Sequence, residues 1–279
     1  MLSEIERRIV AARGFVFDLD GTLVLGNRSN HSLRPLPGAI ELLEFLGVRG
    51  TPFVLLTNGT TRTPAEYVEL LRAAGLPLPD DSVITPSSVA AEYFVRNHIR
   101  RALVLGIEGV WKPLAAADVE VVHAPSRTPV DAVFIGWCPE FTSADIDCAC
   151  AAIRQGARLF AGSLARHFAT ADGRVPGTTR TMCAMIRQRT GCRPILLGKP
   201  APEALAFASA CLAVGPADLV VVGDDPAIEI LMARRAHACS VAVTTGTWRG
   251  EGAESLPTAR RPDLIVHGVG DLLRILRAR

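Results

Sequence analysis

Apolar runs of strand length recur along the chain, and four of them end in a polar cluster. They are FVFDLD over Phe15 to Asp20, FVLLTN over Phe53 to Asn58, ILLGK over Ile195 to Lys199 and LVVVGDD over Leu219 to Asp225. Continuous apolar character without alternation marks strands covered on both faces. Between and after them lie helix-like segments: AIELLEFLG after Pro37, PAEYVELLRAAG after Thr63 and APEALAFASACLAVG after Pro200. Each is opened by or near a proline and closed by a glycine, as helix ends commonly are. Strand, loop and helix in alternation predict an α/β fold, a parallel sheet with helices on both faces. Two later runs, SVAVTTG over Ser240 to Gly246 and DLIVHGV over Asp263 to Val269, extend the same sheet. With no acidic cluster of their own, they read as structural.

The stretch from about Arg100 to Arg193 separates the second cluster from the third and has strand and helix signals of its own, among them RALVLG, DAVFIGW and SADIDCACAAIRQG. Its length suits an inserted α/β domain. The expected division is residues 1–99 for the first part of the core, 100–193 for the insert and 194–279 for the second part. In an open parallel sheet, ligands bind beyond the carboxyl ends of the strands, where strand order reverses. Four polar strand ends would then meet in one crevice, and the insert would close over it as a cap.

Composition narrows the function classes. With 30 basic and 28 acidic residues the net charge is +2, and the basic residues are spread out, so no nucleic-acid footprint is expected. The apolar runs are too short and interrupted to span a membrane, and MLSEIERRIV carries acidic residues where a leader needs a basic flank, so the reading is a cytoplasmic protein. Seven cysteines without a CxxC pair suggest neither a disulfide framework nor a zinc site. Lysine is rare: Lys112 and Lys199 are the only two.

That rarity matters for the polar clusters. Asp18 and Asp20 alternate on a chain leaving a strand, so both carboxylates can enter one cleft, one as a nucleophile and the other as general acid and base. An Asp-Gly hairpin turn or part of a calcium loop is the plain alternative, but neither a following strand nor further alternating ligands accompany it. Thr57, Asn58 and Gly59 offer a hydroxyl and main-chain amides for phosphoryl oxygens, although a Thr-Asn-Gly turn also occurs in ordinary loops. Lys199 can neutralise a carboxylate and a phosphate together; a surface lysine at a helix start is the alternative. Asp224 and Asp225 add acidic groups that need a cation, and Mg2+ suits the oxygen set of Asp18, the main-chain carbonyl of Asp20 and Asp224. Asp225 can also serve simply as a helix N-terminal carboxylate.

Taken in order, DLDGT, LLTNG, GKP and GDDPAIEI resemble the four motifs of the haloacid dehalogenase superfamily of phosphatases. The resemblance runs the length of the chain. The insert between the second and third motifs, with FATADGRVPGTTRTMCAMIRQRTGCRPILLGKP, looks like subfamily IIA, the branch of the NagD-type, nitrophenyl phosphate, pyridoxal phosphate and phosphoglycolate phosphatases with a C2-type cap. It implies a Rossmann-like core, Asp18 as nucleophile, Asp20 as acid and base, Thr57 and Asn58 on the phosphate, Lys199 neutralising charge, and Asp224 on Mg2+. It also implies a small phosphorylated metabolite as partner and a homodimer through the cap.

Two departures stand out. Glu229 occupies the position of a usual aspartate in the fourth motif, either reaching the metal's water shell or orienting Asp224, with Asp225 able to share its duty. GTTRT follows Pro176 where the family has a small-residue pair. The motifs specify the first half-reaction and not the acceptor, so transfer by a phosphotransferase or mutase stands beside hydrolysis, as does a non-catalytic regulatory protein that binds a phosphorylated metabolite. Trp137, Glu140, Arg166, His167 and Asp172 are cap residues with the character to meet a substrate, none of them assigned.

Overall fold

A computed structural model of the chain describes residues 2–26, 33–165, 167–170 and 173–278. Six strands form one sheet in the order Leu264–Val266, Cys239–Val243, Leu219–Gly223, Gly14–Phe17, Phe53–Leu56, Val83–Ile84. Every pairing in it is parallel. Side chains of the central strand alternate between faces: Phe15 and Phe17 join one apolar cluster, Val16 another. From Gly14–Phe17 the chain adds strands on one side and later returns to add Leu219–Gly223 on the other. Strand order therefore reverses between these two neighbours, which opens the crevice that the sequence reading anticipates.

Local chemistry explains the helices that flank this sheet. Thr63 caps Pro64–Ala73 with its side chain while Glu66 reaches back to the Thr63 amide, satisfying two otherwise orphaned donors. Ala39–Arg49 runs through Gly47, where the sequence pattern would end it, and stops at Gly50 in a left-handed conformation with φ 67. A mid-helix glycine costs about 1 kcal/mol, less than the packing of Leu42, Leu43 and Leu46 returns.

A second sheet has the order Ile195–Leu196, Arg158–Ala161, Ala132–Ile135, Arg101–Leu105, Glu120–His123, again parallel throughout. One expectation changes here. The run ILLGK belongs to this sheet and not to the first: Ile195 and Leu196 pair with Phe160 and Ala161 at its edge, and the chain then crosses back toward Lys199. The reason is physical. A two-residue, half-buried strand has no alternation that could assign it to one sheet, so the open edge it meets decides.

The two sheets share an apolar cluster. Phe94, on the helix Pro86–Arg96, lies with its ring centroid 4.9 Å from that of Phe160 and 6.0 Å from that of Phe134. Val16, Val54 and Val221 of the first sheet belong to the same cluster. On the far face of the second sheet, Leu103, Leu105, Val133 and Ile135 pack with Ile146, Ile153, Met182 and Ile186 of the helices Ser143–Arg154 and Thr178–Thr190. The antiparallel ribbon His167–Thr170 with Gly173–Pro176 completes this unit. Among the described residues, no helix is long and apolar enough to cross a membrane.

Candidate active site

Asp18 follows the central strand directly, and its N–H donates to the Val222 carbonyl at 2.8 Å. The ladder thus continues one residue past the strand and carries the Asp18 side chain to the sheet's carboxyl edge. Only 6% of Asp18, 3% of Lys199, 4% of Asp224 and 3% of Glu229 is exposed. Lys199 Nζ donates to Asp18 Oδ1 and lies 2.8 Å from Glu229 Oε1. Thr22 Oγ1 donates to Asp18 Oδ2 at 2.9 Å. Thr22 thus holds the Asp18 carboxylate from the side opposite Lys199.

The end of the strand Cys239–Val243, read from sequence as structural, belongs to the site. The Thr247 N–H donates to Asp224 Oδ2, and a Cβ on Gly246 would lie 1.9 Å from that same oxygen. Thr245 Oγ1 donates to the Gly21 carbonyl at 2.6 Å. Gly21 itself has φ +88, and a Cβ there would meet the Gly246 Cα at 2.7 Å, so the approach of the two loops requires glycine on both sides. A main-chain donor such as the Thr247 N–H leaves no signal in the sequence, where this strand end is conspicuous only for lacking acidic groups.

The second cluster divides its work differently from the expectation. Asn58 Nδ2 donates to the Lys199 carbonyl at 3.0 Å, and the Lys199 N–H donates to Asn58 Oδ1 at 2.8 Å. The Asn58 amide thereby splints two strand ends that are 141 residues apart in sequence and sets the position of Lys199. The Gly59 N–H donates to Thr57 Oγ1 at 2.9 Å, which leaves the Thr57 hydroxyl hydrogen for another acceptor.

Four buried or half-buried acids, Asp18, Asp20, Asp224 and Glu229, face one buried cation, Lys199. Burial, then the charges of Asp18 and Asp224 against the pull of Lys199, pushes Asp20 up to about 7. Burial and Asp18 push Asp224 up to about 7, the bonds from Thr247 opposing. Burial pushes Glu229 up to about 8 although Lys199 pulls the other way. Lys199 shows the converse: burial alone would lower it, but Asp18 and Glu229 raise it above the usual lysine range. Shared between two carboxylates, it leaves Glu229 with part of its burial penalty. One side-chain atom of Asp20, Oδ1, is buried without a hydrogen-bond partner.

This imbalance is the test of whether a cation fits. Negative charge exceeds the single ammonium, the donors around Asp18 and Asp224 are all oxygen, and a hard divalent cation is what such a set accommodates. Among the described residues, no three acidic, histidine or cysteine side chains converge on a ready-made metal position. Mg2+ needs fewer side-chain ligands than that, since it commonly keeps several waters and is held by one or two carboxylates.

Asp18, Asp20, Asn58, Gly59, Lys199 and Asp224 line one cavity of about 110 Å³, together with Asp225 and Glu229. Thr57, expected at the phosphate, is buried and is not part of the wall; its hydroxyl accepts the Gly59 N–H. Tyr67, Trp137 and Thr179 line the cavity too. Tyr67 reads as core in the sequence from its helical spacing with Val68 and Leu71; its hydroxyl lies 2.9 Å from Thr61 Oγ1. Trp137, from the second unit, joins the site, its main-chain N–H donating to Thr60 Oγ1 at 2.9 Å. Glu140 is exposed and does not line the cavity. Arg166 and Asp172 lie outside the described residues, as does the His167 side chain.

The family profile for haloacid dehalogenase-like hydrolases matches residues 15–120, and that described as HAD-hydrolase-like matches residues 196–272. Chronophin of Rattus norvegicus is 29% identical over 266 residues, covering 92% of this chain and 84% of its own. A 4-nitrophenylphosphatase from Thermotoga maritima superposes with a TM-score of 0.85 at 28% identity, over 96% of this chain and 99% of the other. A glycerol phosphate phosphatase from Mycobacterium tuberculosis, solved in complex with magnesium, gives a TM-score of 0.81 at 28% identity, over 99% and 78%. With two profiles bracketing the site, the motif residues gathered at one crevice and both units of the fold matched by these structures, the chain belongs to the haloacid dehalogenase superfamily.

Proposed function

We propose that this chain hydrolyses small phosphate monoesters with the aid of Mg2+, through an aspartyl-phosphate formed on Asp18. The observation that carries the reading is the buried Asp18 carboxylate held between Lys199 and Thr22, next to an Asp20 whose Oδ1 has no partner. In the first half-reaction an Asp18 oxygen attacks phosphorus, the ester P–O bond breaks, and Asp20 gives its proton to the leaving oxygen. In the second, Asp20 takes a proton from water as that water attacks phosphorus, which frees phosphate and restores Asp18. Asp20, pushed up to about 7, is placed to hold a proton near neutrality and return it. Lys199 offsets charge on Asp18 and the phosphoryl group. Thr57 and the main chain at Asn58 and Gly59 take phosphoryl oxygens in this reading. Asp18, the Asp20 carbonyl and Asp224 would hold Mg2+, which when bound supplies further electrostatic stabilisation of the phosphoryl charge.

Residues 100–193 act as the cap in this proposal, bringing Trp137 against the crevice and excluding water. The names of the relatives support a small ester as substrate: a nitrophenyl phosphate for one, glycerol phosphate for another. Sugar phosphates, nucleotides, pyridoxal phosphate and phosphoglycolate-like compounds all fall within that class. A cytoplasmic location and a homodimer through the cap accompany the reading, the latter open to a sizing measurement.

The test is phosphate release from p-nitrophenyl phosphate with and without Mg2+. Release that depends on Mg2+ and vanishes in Asp18→Asn is expected; full activity in that variant overturns the mechanism. Product analysis with alcohols present separates hydrolysis from transfer, since a phosphorylated acceptor in place of free phosphate would mark a transferase.

A further inference from the structure

The cavity around Asp18, about 110 Å³, holds little beyond a phosphoryl group, whereas ligand cavities usually run from roughly 300 to 1,000 Å³. A second cavity of about 710 Å³ adjoins it. The two share Ala165, Lys199, Asp225, Ile228 and Thr247 in their walls, so they lie side by side, with the reacting end small and the far end large.

The far end has a definite chemistry. Leu164, Leu196, Pro226, Trp248 and Leu256 give it apolar walls. Two exposed arginines line the same space from opposite units, Arg180 from the helix Thr178–Thr190 and Arg260 from the turn Thr258–Arg260. Arg180 Nη1 donates to the Leu164 carbonyl at 3.1 Å, which steadies the group at the wall while its other nitrogens remain as donors. Among the described residues, neither arginine takes part in an ion pair. Asp225 is the acidic side chain of this wall, and its Oδ1 accepts from the Ala227 N–H at 2.8 Å; Lys199 is committed to Asp18 and Glu229. Arg180 is also the arginine of GTTRT, the cap segment that departs from the family pattern and that the reaction leaves without a role.

We propose that the second cavity receives the leaving group of the substrate, and that Arg180 and Arg260 clamp a second anionic group on it, a carboxylate or a phosphate remote from the phosphoryl group being transferred. The proposal rests on the phosphatase reading for the reacting end and adds the substrate class. A planar guanidinium from each side suits an oxyanion that arrives with the cap already in place, and the apolar walls accommodate a short carbon chain between the two charges.

The test uses matched pairs: n-alkyl phosphates of two to six carbons, and the same compounds ending in a carboxylate or in a second phosphate. In the Mg2+-loaded protein, kcat/KM should favour the acid-ended member by about ten- to a hundredfold at one chain length, the value expected of hydrogen bonds to charged groups. Arg180→Ala and Arg260→Ala should each pull that ratio toward one, and Arg180→Lys should keep part of it. Because the readout is a ratio, a general loss of folded protein cancels. The carboxylate and phosphate arms identify which anion is held. A wild-type ratio near one at every length, or a ratio unmoved in both alanine variants, overturns the clamp. Calorimetric titration of Asp18→Asn with the same pairs reads the clamp without turnover. If no ester is hydrolysed at all, the phosphatase reading falls, and tighter binding of the acid-ended member still supports the clamp; equal binding of both members sinks the clamp alone.

Discussion

Lys199 and Glu229 form a buried ion pair, Nζ to Oε1 at 2.8 Å, while the same ammonium donates to Asp18. The second oxygen of Glu229 accepts the Asp225 N–H at 3.1 Å. The Glu229 carboxylate is thus engaged by Lys199 and the Asp225 main chain, and the two roles expected of it, in the metal's water shell or orienting Asp224, stand beside these contacts. The added methylene relative to aspartate is what lets it reach across. Lys199→Ala would strand these carboxylates in the interior. The expected cost is about 3–5 kcal/mol of stability, as for other broken buried pairs, with turnover lost. Glu229→Gln keeps the shape and leaves Lys199 to Asp18, so it should melt closer to the wild type while lowering kcat. A Lys199→Ala protein that melts with the wild type would remove the argument. Thermal melts alongside phosphate release make the comparison.

Asn58 is expected to act through Lys199 and not through the phosphate with its side chain. Asn58→Ala removes both bonds to the Lys199 main chain, each worth about 0.5–1.5 kcal/mol. The lysine should drift from Asp18, and kcat should fall by roughly ten- to a hundredfold, the scale of a misplaced catalytic group. KM should change little. Steady-state kinetics decide: a variant with kcat intact and KM raised would make Asn58 a phosphate ligand after all.

Asp20 must be protonated to assist a leaving group. As its carboxyl is pushed up to about 7, hydrolysis of an alkyl phosphate should decline as pH rises above that value. Nitrophenolate departs with less help, so its ester should show a flatter profile. Asp20→Asn should slow the alkyl ester far more than the aryl ester. Equal pH profiles for the two esters would count against Asp20 as the acid.

The same buried acids set the stability of the metal-free protein. Asp20 and Asp224 are raised to about 7 and Glu229 to about 8, whereas the unfolded chain titrates them near ~4. Between those values the folded form holds protons that the unfolded chain has lost, so stability falls as pH rises through about 7 to 8. Glu6 and Glu66 are lowered and act below this window. In EDTA, Tm should therefore drop from pH 5 to pH 8, and added Mg2+ should recover more at pH 8, where the acids are ionised. A Tm that rises across this range, or Mg2+ stabilising equally at both ends, would contradict the charge imbalance at the site.

What the sequence determined by itself is the type and order of the elements and which polar residues stand at the strand ends. Unbroken apolar runs such as FVF and LVVVG mark buried parallel strands whatever surrounds them, because burial on both faces leaves no room for a polar position. Polar residues at the ends of such runs are conspicuous for the same reason, so Asp18, Asp20, Thr57, Asn58, Lys199 and Asp224 could be picked out, and all but the buried Thr57 line one cavity. Tertiary structure alone decided how these groups are held. The pairing of Ile195 and Leu196 with the second sheet, the Asn58 bridge to Lys199, the Thr247 amide on Asp224 and the reach of Glu229 to Lys199 all join residues far apart in the chain or use main-chain atoms that every residue possesses. A main-chain N–H carries no mark in the sequence, and a half-buried two-residue strand joins whichever edge the packed sheets leave open.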